Sequence, residues 1–209
     1  MIKVVLCDDH AVVRRGIRDT LMEATDIRVV AEADGYASLR EVLRQEAPDV
    51  LLLDVDLPDR SGLEILAVLQ KEEAPPKVVM VSMYPEDQYA LRCLRAGAVG
   101  YLNKGGDPSA LLPAVRTAAE GRKYITPQIA ELLANHLSAP AATELHAALS
   151  ERELQTLKRI ASGKKLAQIA EDLMLSPKTV SVYRARVLEK LGLTNNAELT
   201  VYAIRNQLV

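Results

Sequence analysis

Five short apolar runs alternate with amphipathic segments over the first 121 residues of this chain. Val, Ile and Leu dominate the runs, and the segments repeat apolar residues every three or four positions, as amphipathic helices do. Such an alternation is typical of a parallel sheet that helices cover on both faces. It predicts a doubly wound α/β fold with five parallel strands. The strands are expected at residues 3–7, 28–32, 49–54, 77–82 and 99–103, and the helices at 12–24, 38–46, 62–73, 87–97 and 108–121.

Beyond Gly121 the alternation stops and only helical patterns remain. One helix is expected within residues 122–137, opened by Thr126 and Pro127, because these residue types favour the start of a helix. Residues 138–149 are rich in Ala, Ser, Pro and Thr, which indicates a linker of modest stiffness. The predicted division is an α/β domain over residues 1–120, a connecting helix and linker over 121–147, and a second domain over 148–209.

The second domain is predicted to be all helical. Ser150 is followed three residues later by Glu153, which is the spacing of a capping box at the start of a helix. Three further helices fit residues 165–174, 177–191 and 196–206. The chain is therefore expected to join an α/β domain to an all-α domain.

The two parts of the chain carry opposite charge. Residues 1–145 contain 16 basic and 22 acidic residues, a net charge of −6, whereas residues 146–209 contain 10 and 6, a net charge of +4. Such an asymmetry indicates different partners for the two parts. No apolar run approaches the roughly 18 residues of a membrane span, and the N-terminal segment turns acidic too early for a signal peptide. We therefore expect a cytoplasmic protein with no membrane partner.

Acidic residues follow two of the predicted strands directly. Asp8 and Asp9 come after the first strand and Asp54 ends the third, so these three carboxylates are expected at one edge of the sheet, where ligands of such folds bind. Asp56 and Asp59 lie in the loop that follows. Carboxylates brought together repel one another unless a cation neutralises them, and Mg²⁺ prefers oxygen ligands. The sequence therefore predicts a magnesium site.

A hydroxyl and an ammonium group are expected at the same edge. Ser82 ends the fourth strand and Lys104 follows the fifth. Beside a bound cation a carboxylate can act as a nucleophile towards phosphorus, and the phosphoryl oxygens then need hydrogen-bond donors. Ser82 and Lys104 can supply these donors. The five side chains together indicate a phosphoryl-acceptor site.

The motifs DDH, LLLDVDLPDRSGLE, VVMVS and GYLNK resemble the receiver domain of two-component response regulators, a flavodoxin-like fold, over residues 1 to about 120. The resemblance implies that Asp54 accepts phosphate from a sensor histidine kinase. It implies that Asp8 and Asp9 hold Mg²⁺ with Asp54 and the backbone carbonyl of Asp56. It further implies that Ser82 and Lys104 bind the phosphoryl group and that the orientation of Tyr101 reports phosphorylation. Many receivers have proline after the lysine, whereas Gly105 stands here.

Two more predictions concern side chains around this site. Asp56 and Tyr84 are expected to flank it, where they could hinder or orient an attacking water. Arg14, Arg15 and Arg18 are expected to form a solvated face of the first helix.

Residues 165–191 contain two short helical segments joined by a tight turn, which is a helix-turn-helix pattern. Ser176 is expected to cap the second helix, with Pro177 in its first turn. At 100° per residue, one face of this helix gathers Val180, Val187 and Leu191. The opposite face mixes small and basic side chains, as an element that enters a DNA major groove requires. Its members are Lys178, Val182, Ala185, Arg186 and Glu189.

Residues 149–199 resemble the LuxR-type DNA-binding domain, and together with the receiver they resemble the NarL/FixJ family. RKYITPQIAELLA and LSPKTV resemble its GacA/UvrY-like members. The resemblance implies that residues 177–191 are the recognition helix on double-stranded promoter DNA and that the last helix pairs two copies. Many members have lysine where Ser181 stands, so individual contacts are chosen residue by residue. The expected DNA-binding residues are Lys164, Lys165, Lys178, Thr179, Ser181, Val182, Tyr183 and Arg186.

The resulting prediction is a transcription regulator controlled by phosphorylation of Asp54. It is expected to form a homodimer when phosphorylated, with RNA polymerase as a further partner. Its only chemistry would be Mg²⁺-dependent self-phosphorylation and slow autodephosphorylation, so it is not expected to be an enzyme. One alternative is a DNA-binding regulator whose receiver works without phosphate. Another is a phosphohydrolase of the haloacid dehalogenase kind, although the acidic pair comes first here rather than last.

Overall fold

The computed structural model describes residues 1–138, 145–206 and 208–209. It forms two compact units, Met1–Ser138 and Ala139–Val209, which are described one at a time. Among the described residues, no helix combines the length and the apolarity needed to cross a membrane.

The first unit is built on a five-stranded sheet of order β2-β1-β3-β4-β5, with every neighbouring pair parallel. The predicted doubly wound α/β fold is therefore confirmed. The central strand β3 is buried along its whole length, which explains why its residues are apolar up to Asp54. The strands are β1 (Ile2–Cys7), β2 (Ile27–Ala33), β3 (Val50–Asp54), β4 (Lys77–Ser82) and β5 (Gly100–Asn103).

Helices cover both faces of this sheet. One core contains buried side chains of α2, α3 and α4, and the other contains those of α1 and α5. The helices are α1 (Ala11–Met22), α2 (Tyr36–Gln45), α3 (Gly62–Leu69), α4 (Glu86–Arg95), α5 (Leu111–Ala119) and α6 (Pro127–Ser138). Because β1, β3, β4 and β5 are neighbouring parallel strands, their carboxyl ends lie side by side at one edge of the sheet.

Helix α6 packs against the α/β unit. Ile129 is fully buried in the core that also contains α4, and Leu133 packs against the same core. The Thr126 hydroxyl caps α6 by accepting the Ile129 N–H, and it donates to the Glu86 carboxylate at 2.6 Å. The predicted start of this helix at Thr126 and Pro127 is confirmed.

The second unit is helical. It begins with a short 3₁₀ helix, Leu145–Ala148, inside the segment predicted as a linker, while residues 139–144 of that segment lie outside the described residues. The predicted capping box is present, with Ser150 N–H donating to Glu153 at 2.7 Å and Glu153 N–H to the Ser150 hydroxyl at 3.4 Å. The helices that follow are α7 (Glu151–Ala161), α8 (Leu166–Asp172), α9 (Pro177–Leu191) and α10 (Asn196–Arg205). They share one apolar core.

Candidate functional site

Acidic side chains meet at the carboxyl ends of β1 and β3. Asp8 and Asp54 are each only 3% exposed, because each sits where a buried strand ends. One ligand atom from each of Asp8, Asp9, His10 and Asp54 can be chosen so that all four lie within 4.8 Å of one another. The structure thus brings together the three carboxylates that the sequence placed at this edge. His10 was not predicted to join them, although it follows the acidic pair directly in the sequence.

Lys104 lies between two of these carboxylates. Its Nζ is 2.7 Å from Asp54 Oδ2 and 2.6 Å from Asp8 Oδ2, and its side chain is 5% exposed. Burial raises the pKa of Asp54 to about 6, although the charge and hydrogen bond of Lys104 act in the opposite direction. Burial alone would lower the pKa of Lys104, but Asp54 and Asp8 more than offset this, so its pKa is raised. The site therefore holds a fixed ammonium ion beside a carboxylate that burial holds partly protonated near pH 6.

The chemistry of this pocket fits a hard divalent cation. Asp8, Asp9 and Asp54 offer several carboxylate oxygens, whereas Lys104 contacts two of these carboxylates with one ammonium group. An excess of buried negative charge of this kind is stabilised by an oxygen-seeking ion such as Mg²⁺. An acidic pocket of this composition is typical of Mg²⁺ binding.

A chain of hydrogen bonds links the site to the loop after β4. The Ser82 hydroxyl, which is buried at the end of β4, accepts the Tyr84 N–H at 3.2 Å. The Tyr84 hydroxyl donates to Asp56 Oδ2 at 2.7 Å, and its ring stacks on Tyr89 with centroids 4.4 Å apart. Tyr101 is fully buried and donates to the Tyr84 carbonyl oxygen at 2.8 Å. Tyr84 therefore joins Ser82, Asp56 and Tyr101 into one network, which goes beyond the flanking position expected for it.

Asp59 lies outside the acidic cluster. Its carboxylate accepts the N–H groups of Tyr36 and Ala37 at 2.9 and 3.1 Å, at the start of α2. The N-cap of that helix is Gly35, which has no side chain to satisfy these donors, so a carboxylate from a neighbouring loop does so. The glycine at the helix start was the one indication of this role in the sequence.

Arg14 and Arg18 do not form the solvated face that was expected. The Arg18 Nη1 is 2.9 Å from Glu32 on β2, and Arg14 Nε is 3.3 Å from the same carboxylate. Arg14 also donates to the backbone carbonyl oxygen of Asp8 at 2.5 Å. Arg15 is 77% exposed, as predicted. The four-residue spacing of Arg14 and Arg18 places them on one side of α1, but their partner on another strand could not be read from the helix.

In the second unit, α9 separates its two faces as predicted. Val180, Val187 and Leu191 are buried. The opposite face is exposed and carries Lys178, Ser181, Val182, Ala185, Arg186 and Glu189. Thr179 and Tyr183 are half-buried. This helix therefore presents two basic groups among small side chains.

Some of the other expected contact residues already have partners in this unit. The Thr179 hydroxyl lies 2.8 Å from that of Ser176, the N-cap of α9, and the Ser181 hydroxyl donates to the Pro177 carbonyl oxygen at 3.0 Å. Lys164 pairs with Asp172 at 2.5 Å. Lys165 is exposed at the N-cap of α8.

Arg184 points towards α10 rather than outwards. Its Nε donates to Asn196 Oδ1 at 2.5 Å. The neighbouring helix therefore supplies the partner of this guanidinium group. Of the basic residues of α9 before its last turn, Lys178 and Arg186 are therefore the two that face outwards.

Comparison with known proteins assigns both units to families. Residues 4–116 match the response regulator receiver domain, and residues 147–203 match the luxR family of bacterial regulatory proteins. The chain is 40% identical to the response regulator GacA of Pseudomonas aeruginosa, over 100% of this chain and 98% of that protein. It is also 40% identical to the response regulator UvrY of Escherichia coli, over 100% of this chain and 96% of that protein.

A solved structure shows the same architecture. RcsB from Salmonella enterica serovar Typhimurium, bound to promoter rprA in the presence of the phosphomimetic BeF₃⁻, is 25% identical. The match covers 96% of this chain and 97% of that one, with a TM-score of 0.64. The chain therefore belongs to the two-component response regulators that join a receiver domain to a luxR-family regulatory domain.

Proposed function

We propose that this chain is a transcription regulator whose Asp54 accepts a phosphoryl group from a sensor histidine kinase. The observation that carries the proposal is the contact of Lys104 Nζ with both Asp54 and Asp8, at 2.7 and 2.6 Å, in an otherwise acidic pocket. An ammonium group held there can balance the charge of a phosphoryl group on Asp54. The domains proposed for these roles are residues 1–120, 121–147 and 148–209.

Asp8, Asp9, Asp54 and the backbone carbonyl of Asp56 would hold Mg²⁺. When bound, the ion supplies positive charge that lets an anionic carboxylate approach an anionic phosphoryl group. The Asp56 carboxylate itself accepts the Tyr84 hydroxyl at 2.7 Å. Asp56 thus has separate roles for its side chain and its backbone.

In the proposed transfer, a carboxylate oxygen of Asp54 attacks phosphorus. The new bond is P–O, the P–N bond to the kinase imidazole breaks, and the imidazole nitrogen leaves with the bonding electron pair. Ser82 can turn its hydroxyl to donate to one phosphoryl oxygen, and Lys104 can bind another. Besides this transfer, self-phosphorylation from a small phosphodonor and slow autodephosphorylation are the only reactions proposed for the site. We therefore do not propose an enzyme that turns over a substrate.

The same hydrogen bonds offer a route for the response. The Ser82 hydroxyl now accepts the Tyr84 N–H at 3.2 Å, and a hydroxyl drawn to the phosphoryl group would change that contact. Tyr101 is already buried and holds the Tyr84 carbonyl at 2.8 Å, so a movement of this loop would act on Tyr101 through that bond. The phosphoryl group can shift the two states only by its differential binding to them, which favours a population shift over an absolute switch.

The proposed output is promoter binding by α9 of a homodimer, with RNA polymerase as a further partner. The proposed location is the cytoplasm, where such a regulator would meet its promoter. Lys178 and Arg186 lie on the exposed face, and Val182 offers a small apolar contact between them. Val201 and Ile204 of α10 are 48% and 60% exposed, and they give that helix an apolar surface on which two copies can pair. Lys164, Lys165, Thr179, Ser181 and Tyr183 complete the proposed DNA-binding set.

Phosphorylation of the purified protein by a small phosphodonor in MgCl₂ tests the first part. Intact mass is expected to show one phosphoryl adduct on the parent and none on Asp54→Ala, because the substitution removes the proposed nucleophile. Size-exclusion chromatography is expected to show a shift towards dimer with the parent alone. An equal adduct on Asp54→Ala would exclude Asp54 as the acceptor. No adduct on a folded parent would instead favour a receiver that works without phosphate.

Lys178→Ala and Arg186→Ala are each expected to weaken promoter binding about tenfold, because a good base or phosphate contact contributes roughly 1–3 kcal/mol. If the lost contact is to a phosphate, the slope of log affinity against log salt should fall by about one. Fluorescence anisotropy with labelled promoter fragments measures both quantities. Arg184→Ala is the matched control on the same helix, since its guanidinium contacts Asn196, and it should change affinity less than threefold. Equal losses in all three variants would contradict the proposed face.

A further inference from the structure

Arg14 joins α1 to the turn that carries the acidic pair. Its Nη1 donates to the backbone carbonyl oxygen of Asp8 at 2.5 Å. Its side chain is 18% exposed, although it stands on a surface helix of the receiver unit. A guanidinium group in this position can act on the conformation of the Asp8–Asp9 backbone.

The Asp8 carbonyl group needs this donor for a local reason. The chain leaves β1 after Cys7, and the Asp8 N–H makes a sheet-type bond to the Ala33 carbonyl oxygen at 3.1 Å. The Asp8 Oδ1 atom accepts the His10 N–H at 2.8 Å, which turns the chain towards α1. The Asp8 carbonyl oxygen lies past the end of β1, and Asp8 is only 3% exposed. A buried carbonyl group without a donor is costly, so Arg14 completes the turn.

Glu32 fixes Arg14 from the other side. Its carboxylate, on β2, lies 3.3 Å from Arg14 Nε and 2.9 Å from Arg18 Nη1. The Arg14 guanidinium is therefore held at two points, by a backbone carbonyl of the site and by a carboxylate of the neighbouring strand. The planar guanidinium group of arginine has several N–H donors and can make both contacts at once. The compact ammonium group of lysine cannot reproduce this geometry.

We propose that Arg14, held by Glu32, is a positioning residue for the metal-binding carboxylates Asp8 and Asp9. This inference rests on the proposed function, because it takes the acidic pocket to be a Mg²⁺ site. Arg14 acts through the backbone of Asp8 and does not touch the ion. It fixes the angle at which the two carboxylates leave the end of β1.

The sign of the effect separates positioning from simple electrostatics. Arg14 adds positive charge near an acidic pocket, so Coulomb's law alone predicts that its removal strengthens Mg²⁺ binding. Positioning predicts the reverse, because a relaxed Asp8–Asp9 turn must be ordered again when the cation binds. The two readings therefore differ in direction.

Calorimetric titration of the full-length unphosphorylated protein with MgCl₂ tests this directly. We expect the dissociation constant of Arg14→Ala to rise about tenfold, the lower end of what outer-shell partners of metal ligands contribute. Arg14→Lys should recover only part of the affinity. Glu32→Gln, which keeps the arginine but weakens its anchor, should move in the same direction by a smaller factor. Arg15→Ala is the control, since Arg15 is 77% exposed on the same helix, and its dissociation constant should stay within about twofold.

A second readout follows the rate of phosphorylation by the small phosphodonor as MgCl₂ is varied. Arg14→Ala is expected to need about tenfold more MgCl₂ for half the maximal rate, with the maximal rate changed less than threefold. Unchanged or tighter Mg²⁺ binding by folded Arg14→Ala would overturn the inference. A parent protein that binds Mg²⁺ but forms no adduct would contradict the proposed function while leaving the calorimetric test of Arg14 intact.

Discussion

Gly62→Ala is expected to lower the free energy of unfolding of the receiver unit by about 3 kcal/mol, the upper end of the usual cost of overpacking. A Cβ atom at position 62 would lie 2.0 Å from the carbonyl oxygen of Asp54 and 2.9 Å from its carbonyl carbon. Both neighbours are backbone atoms, so no rotamer change can relieve the contact. The Gly62 N–H also donates to the Val55 carbonyl oxygen at 2.8 Å, which holds the loop closed at this point.

Activity should suffer with stability, because the displaced backbone carries Asp54. A misplacement of about 1 Å at a reacting group can cost on the order of 100-fold in rate. We therefore expect Gly62→Ala to accept a phosphoryl group from a small phosphodonor roughly 100 times more slowly than the parent, under conditions in which it is folded. Urea unfolding and intact mass over time measure the two effects.

Gly16→Ala is the matched control. Gly16 lies within α1, and a Cβ atom there would meet nothing within 4 Å. Alanine is the better helix former by roughly 1 kcal/mol, so this variant should be as stable as the parent or slightly more so. If Gly62→Ala unfolded at the same urea concentration as the parent, position 62 could not lie as close to the Asp54 carbonyl group as described.

The fold was predictable because burial leaves a clear pattern in the sequence. All five strands were predicted. The central strands left the clearest pattern, since a strand covered on both faces is almost entirely apolar. Element ends were less accurate: α3 ends at Leu69 rather than near residue 73, and α5 begins at Leu111 after a 3₁₀ turn. Such ends depend on local hydrogen bonds that periodicity does not encode.

The clustering of Asp8, Asp9, Asp54 and Lys104 followed from topology, because each residue ends a strand of one parallel sheet or follows it directly. Other contacts needed the coordinates. Tyr84 reaches Asp56 across 28 residues, and Arg14 reaches Glu32 across 18. Neither pair has a spacing that a helix or a strand imposes. The sequence therefore indicated which groups stand at the sheet edge, but not which side chains hold them in place.

Asp54→Asn is expected to stabilise the metal-free protein at neutral pH by about 2 kcal/mol. Burial raises the pKa of Asp54 from 3.8 to about 6 in the folded protein, so the ionised carboxylate is disfavoured there. A pKa difference of about two units corresponds to roughly 3 kcal/mol of stability. The weaker hydrogen bond between the amide and Lys104 reduces this gain. The neutral amide of asparagine avoids the cost of the buried charge. The free energy of unfolding is therefore expected to be larger for Asp54→Asn than for the parent.

The pH dependence gives this prediction its sign. Between pH 4 and 6 the folded protein binds more protons at Asp54 than the unfolded chain does, so the parent loses stability as pH rises through this window. Urea unfolding in EDTA should therefore give nearly equal free energies of unfolding near pH 4, and a larger one for the variant above pH 6.

Asp107→Asn is the control, because a hydrogen bond from Ser109 lowers the pKa of Asp107, and no stabilisation is expected. MgCl₂ should stabilise the parent more than Asp54→Asn and so narrow the gap, since a ligand of the folded state adds its own binding free energy. A variant no more stable than the parent at pH 7 would mean that Lys104 already balances the charge of Asp54.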